Sequence, residues 1–83
     1  MRAKKYTVYI LECLDGTLYT GVTTDLKRRF NEHKQGIGAR YTKSHPPRRV
    51  LYTEVQPNRS RAQAREAAIK RMTRAKKMEL TRV

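Results

Sequence analysis

Acidic side chains are scarce in this chain. Seven Asp and Glu stand against twenty Lys and Arg, a formal net charge of +13. Such a field repels the folded chain from itself unless a polyanion balances it, so nucleic acid is the expected partner. Cysteine is nearly absent: Cys13 stands alone, which rules out an internal disulfide and any cysteine-based metal site and fits a reducing compartment. Long apolar runs are missing too. There is no stretch to span a bilayer and no apolar region of a signal peptide at the N-terminus, so a cytoplasmic protein is expected. Internal repeats and low-complexity segments are also lacking. The 83 residues suit one small domain over residues 1–83, without room for a second module. The basic residues run from Lys27 to Arg49 and again from Arg59 to Arg82, which makes a generally positive surface rather than a charged tail beside a neutral body.

What is present reads as a small α+β fold. The β-branched and aromatic runs from Lys5 to Cys13 and from Thr17 to Thr23 predict a hairpin of two partly buried strands. The connection decides the faces. A two-residue Asp15-Gly16 loop would put Tyr9 and Tyr19 on opposite faces. A three-residue Leu14-Asp15-Gly16 loop with Gly16 left-handed pairs Tyr9 with Gly21 and Leu11 with Tyr19, and sets both phenols on one face. The three-residue register is the expectation. Thr24 or Asp25 caps a helix through about Gln35, with Leu26 and Phe30 on its buried stripe and Gly36 ending it. Gly36 to Arg48 reads as a basic loop and Val50 to Val55 as a third strand. Ser60 and Gln63 form a capping box for a helix carrying Ala64, Ala67, Ala68 and Ile69, and Thr73 caps a short last helix. The order is ββαβαα.

Tyr9, the tripeptide Tyr19-Thr20-Gly21, Arg29, His33 one helical turn on, and Glu66 in the late helix follow one another in an order that resembles the GIY-YIG nuclease superfamily, especially its small stand-alone bacterial members. The resemblance covers nearly the whole chain, with Thr7-Val8-Tyr9 as the first signature and Gly21 closing the second. It implies a three-stranded antiparallel sheet flanked by helices and metal-dependent hydrolysis of DNA phosphodiesters, with Mg²⁺ or Mn²⁺ as cofactor. Two departures stand out: Thr7 replaces a glycine, and Val22 stands where several active members carry a lysine. Many such nucleases have a second domain that chooses the target, so sequence specificity is not expected, and branched or damaged DNA in repair becomes the expected substrate.

The chemistry asks for these residue types on its own terms. Hydrolysis needs a deprotonated water, charge stabilisation on the phosphoryl oxygens and help for the departing oxygen. Arg29 binds phosphate with a planar fork that stays charged. Glu66 is the one carboxylate placed to hold Mg²⁺, which tolerates a single protein ligand. A phenol with a pKa of about 10 is a poor base, but Tyr9 or Tyr19 beside Arg29 or the metal would be drawn toward phenolate and could accept the water's proton. His33 is the competing base or the group that orients the phenol. Lys27 and Arg28 on the helix, with Arg40, Lys43, Arg48 and Arg49 on the basic loop, are expected to hold backbone phosphates, and Tyr41 to stack on an unpaired base. Two other readings fit the composition: a non-catalytic basic module bound to RNA or the ribosome, and a subunit whose protein partner supplies specificity.

Overall fold

Residues 4–82 are described by a computed structural model. Three strands, β1 (Tyr6–Cys13), β2 (Leu18–Thr23) and β3 (Pro47–Gln56), form an antiparallel sheet in the order β2-β1-β3. Four helices accompany it: α1 (Leu26–Lys34), α2 (Arg40–Ser44), α3 (Arg59–Lys70) and α4 (Arg74–Leu80). The α+β class and the ββαβαα order read from the sequence hold, with α2 as an added helical turn inside the basic loop.

The hairpin closes as its turn residues require. Gly16 adopts φ of 86°, the Cys13 amide donates to the Thr17 carbonyl at 2.8 Å, and the Gly16 amide donates to the Cys13 carbonyl at 2.9 Å. This three-residue loop pairs Tyr9 with Gly21 and Leu11 with Tyr19. Because side chains alternate along a strand, both phenols lie on one face.

The central strand is more deeply buried than a half-exposed hairpin would be. Val8, Tyr9, Ile10 and Leu11 are all at most 1% exposed, because helices cover the sheet on both sides. Val8 and Ile10 form the core with Ala62 and Ile69 of α3, and Met72 and Leu80 pack against it. On the opposite face Tyr9 meets His33 of α1. Burying Ile69 alone is worth about 1.5–3 kcal/mol, and it holds α3 against the sheet.

Three local readings need correction. β3 starts at Pro47 rather than Val50: Pro47 pairs with Cys13, and a proline is tolerated at the first residue of a strand on a sheet edge. Arg48 and Arg49 therefore sit on a strand, while Arg40 and Lys43 sit on α2. The cap of α3 is Asn58, whose side chain accepts from the Arg61 amide at 2.9 Å, so Ser60 lies inside the first turn and makes no capping box with Gln63. The helix turns Ala62 inward as well as Ile69, and leaves Ala64 and Ala67 exposed. The remaining signals stand: Asp25 caps α1 through the Arg28 amide, Gly36 follows it with φ of 78°, and Thr73 caps α4 through the Lys76 amide.

Replacing Asn58 with Ala is expected to lower stability by about 1 kcal/mol, and Ser60→Ala by much less. Urea denaturation of the two variants measures the difference; equal losses would return the cap to Ser60.

Candidate active site

A cleft of ≈ 430 Å³ opens at the β2 edge of the sheet, between α1 and α3. The hairpin brings Tyr9, Tyr19 and Gly21 to its wall, α1 brings Arg29, and α3 brings Glu66. Four of the five side chains that the sequence singled out for chemistry thus share one space. The fifth, His33, is completely buried behind Tyr9.

Tyr9 is joined to His33 by a 2.8 Å hydrogen bond between its hydroxyl and Nε2. The other ring nitrogen, Nδ1, lies 2.6 Å from Thr42 Oγ1, and the Thr42 hydroxyl donates its one proton to the Ala39 carbonyl at 3.2 Å. Thr42 Oγ1 therefore accepts from His33 Nδ1–H, which leaves Nε2 with a lone pair and makes Tyr9 O–H the donor. Burial drives the His33 pKa below its ordinary value, and the positive charge of Arg29 adds to the effect. A neutral imidazole in a single tautomer results.

The expectation that Arg29 draws Tyr9 toward phenolate does not hold. Burial pushes the Tyr9 phenol up to about 12, against the opposing pull of Arg29. Desolvation outweighs one nearby cation, so Tyr9 carries its proton at neutral pH. Arg29 itself loses some preference for charge through burial, but Glu32 and Tyr9 more than restore it. Its Nη1 donates to Glu32 at 3.1 Å and leaves the remaining N–H groups of the fork for a ligand.

Glu66 is the only carboxylate lining the cleft, and no group of three or more His, Cys, Asp or Glu able to hold a metal exists among the described residues. Such a site suits a hard cation that keeps its own waters and borrows oxygens from a bound phosphate, not one that needs a protein cage. Lys70 contacts Glu66 at 3.3 Å, one turn away on α3. That pair contributes only a few tenths of a kcal/mol, so it yields readily to a stronger cation.

The surrounding basic residues divide. Arg28 lines the cleft. Lys27, Arg40, Lys43, Arg48 and Arg49 are exposed outside it, and Arg49 donates to Glu12 at 2.9 Å. Tyr41, expected to stack on an unpaired base, stacks with Tyr19 (centroids 5.8 Å apart) and with His45 (4.2 Å). Three cleft or supporting residues escaped the sequence reading: Arg59, Gln63 and Thr42. Arg59 and Gln63 had no local signal beyond charge and helix context. Thr42 was hidden in a stretch read as loop.

Two glycines make room for the Tyr9–His33 pair. A methyl on Gly21 would overlap the Tyr9 hydroxyl and stand 2.6 Å from Cζ, and one on Gly38 would stand 2.6 Å from His33 Nδ1. Gly21→Ala is expected to cost about 1–3 kcal/mol, measured by denaturation, as the phenol is forced out of place.

The pH dependence of stability follows from the same pair. His33 has a depressed folded pKa, so its contribution is complete above the unfolded value of about 6.5 and is lost as pH falls below it, because the unfolded chain then takes up protons that the native ring refuses. Tyr9 works at the other end: its contribution is complete below an unfolded pKa of about 10 and is lost as pH rises toward 12. Denaturation midpoints measured across pH should decline on both sides, and His33→Gln should flatten the acidic decline. An unchanged acidic limb in that variant would contradict the assignment.

Comparison with known proteins agrees with this geometry. Residues 5–79 match the GIY-YIG catalytic domain. The chain is 49% identical over 71 residues to a UPF0213 protein of Streptococcus agalactiae, covering 86% of this chain and 81% of the relative. It is 48% identical over 73 residues to one of Halobacterium salinarum, covering 88% and 95%. Its fold resembles two solution structures, each covering 92% of this chain and 81% of the other: a UPF0213 protein of Bacillus halodurans (43% identity, TM-score 0.58) and a protein of E. faecalis (42%, 0.64). With the cleft formed by the two signature strands and the match spanning nearly every described residue, this chain belongs to the GIY-YIG family of nuclease domains, within its small UPF0213 group.

Proposed function

We propose that the protein is a metal-dependent endonuclease that hydrolyses DNA phosphodiester bonds, directed by substrate structure such as branched or damaged DNA rather than by base sequence, and acting in DNA repair in the cytoplasm. The observation that carries this reading is the convergence of Tyr9, Tyr19, Arg29 and Glu66 on one cleft, with a neutral His33 bonded behind Tyr9.

Each residue has work that its surroundings suit. The free N–H groups of Arg29 bind the phosphoryl oxygens and stabilise the charge that builds on them in the transition state. Tyr9 stands between the cleft and the imidazole. As its hydroxyl proton passes to His33 Nε2, its oxygen takes the proton of the attacking water, so a phenol too weak as an acid to ionise by itself still serves as a base. Thr42 and Ala39 keep His33 in the tautomer this relay needs. Tyr19, whose ring edge meets His33 at 5.3 Å between centroids, closes the other wall. Glu66 would hold Mg²⁺ or Mn²⁺, which when bound supplies Lewis-acid help to the departing oxygen.

Lys27, Arg40, Lys43, Arg48 and Arg49 provide a backbone-binding surface with affinity that falls steeply with salt. Such contacts position a duplex without reading its bases, so a protein partner would be needed for sequence choice.

Nicking of duplex, flap and junction DNAs with Mg²⁺ or Mn²⁺ tests the reading. Glu66→Gln and Arg29→Ala should each lower the rate by roughly 10²–10³-fold and retain salt-sensitive binding. The rate should rise with pH only until His33 is neutral, below about 6.5, and then level. A rate that climbs about tenfold per pH unit into the alkaline range would instead make the Tyr9 phenolate the base. Absence of turnover on every substrate, with binding intact, would leave a non-catalytic nucleic-acid-binding module.

A further inference from the structure

The cleft holds more positive charge than the chemistry above uses. Besides Arg29, it is lined by Arg28 from α1 and Arg59 from the first turn of α3. The two helices lie on opposite sides of the sheet: α1 meets Tyr9 through His33, and α3 packs its Ala62 and Ile69 on Val8 and Ile10. Two guanidinium groups therefore enter one space from two sides.

Neither has a carboxylate partner among the described residues. All seven acidic side chains are engaged with other groups. Glu12, Asp15, Glu32, Glu54, Glu66 and Glu79 pair with Arg49, His45, Arg29, Arg65, Lys70 and Lys76 respectively, and Asp25 caps α1. In a chain so short of acid, none of these pairs reaches Arg28 or Arg59, which are left open to an anion from solution. The neutral donors Thr24 and Gln63 line the same cleft. At ≈ 430 Å³ the cleft falls in the range of roughly 300–1,000 Å³ that holds whole small ligands. One phosphodiester at Arg29 does not fill it.

We propose that Arg28 and Arg59, with Thr24 and Gln63, form a second phosphate subsite that takes the phosphodiester adjoining the scissile one on the same strand. The proposal rests on the reading of the cleft as a phosphodiesterase site. It adds that the enzyme grips two consecutive phosphates, so that the strand is oriented as well as held. A planar fork matches a phosphate with two parallel hydrogen bonds, and two forks from different helices fix the direction in which the backbone runs.

The test uses short, uncleaved ligands on the full chain. Thymidine dinucleotide TpT, with one internucleotide phosphate, and the trinucleotide TpTpT, with two, are titrated in metal-free, low-salt buffer and followed by NMR chemical shifts. The wild type should bind TpTpT about tenfold more tightly than TpT, the value of one good charge-assisted contact. Arg28→Gln and Arg59→Gln should each remove most of that gain and leave TpT affinity unchanged, whereas Arg29→Gln should weaken both ligands. Lys76→Gln, an exposed charge on α4, should preserve the gain. Both cleft arginines are solvent-exposed, and retained amide spectra will confirm that the variants are folded. A gain that survives both substitutions, or an equal loss for TpT and TpTpT in the Arg28 and Arg59 variants, overturns the subsite. If the wild type fails to nick DNA with Mg²⁺ or Mn²⁺ but shows the gain and its loss, the catalytic reading fails and the subsite stands.

Discussion

A single hydrogen bond, from the Tyr9 hydroxyl to His33 Nε2, ties the central strand to α1 and gives the cleft its shape. Both residues are buried, so neither tolerates a polar atom without a partner. The bond is made possible from both ends: Gly21 leaves space over the phenol, Gly38 leaves space beside the imidazole, and Thr42 satisfies the second ring nitrogen. The chain from Tyr9 through His33 and Thr42 to the Ala39 carbonyl links β1 to the consecutive helices α1 and α2. It holds the α1–α2 segment on the sheet with polar contacts where the other face uses Ile69 and Ala62.

Charge is organised around the same cleft. The large positive excess looks like a liability for folding, but the few carboxylates are distributed economically. Glu54 accepts from Tyr52, Gln56 and Arg65, which pins α3 to β3 next to Glu66 in the sequence. Asp15 accepts from Thr17 in the hairpin turn and contacts His45, at the end of the stack that runs through Tyr41 to Tyr19. These contacts are partly exposed and individually contribute little to stability. Their effect is positional, and they leave the cationic cleft without internal competitors other than Glu32 and Glu66.

Much of the frame was legible in the chain. Leu14-Asp15-Gly16 announced a three-residue hairpin because Gly16 alone could take the left-handed position, and that register put Tyr9 and Tyr19 on one face. Asp25, Gly36 and Thr73 marked helix ends through local hydrogen bonding. Signals that compete locally were harder. Asn58 and Ser60 are both good caps, and the choice between them depends on where Ala62 and Ile69 must point. Arg40 to Ser44 has too few residues to display a helical period, and its turn persists because Thr42 is anchored on His33.

The candidate site divides along the same line. Residue order alone placed Tyr9, Tyr19, Arg29, His33 and Glu66 in one constellation, and composition alone announced an anionic partner, because residue types and charges are carried by the chain whatever its shape. The protonation of Tyr9, the tautomer of His33, the aromatic neighbours of Tyr41 and the open state of Arg28 and Arg59 came only with the packed structure. Those properties arise from desolvation and from neighbours that are far apart in sequence, and neither exists until α1, α2 and α3 close on the two faces of the sheet.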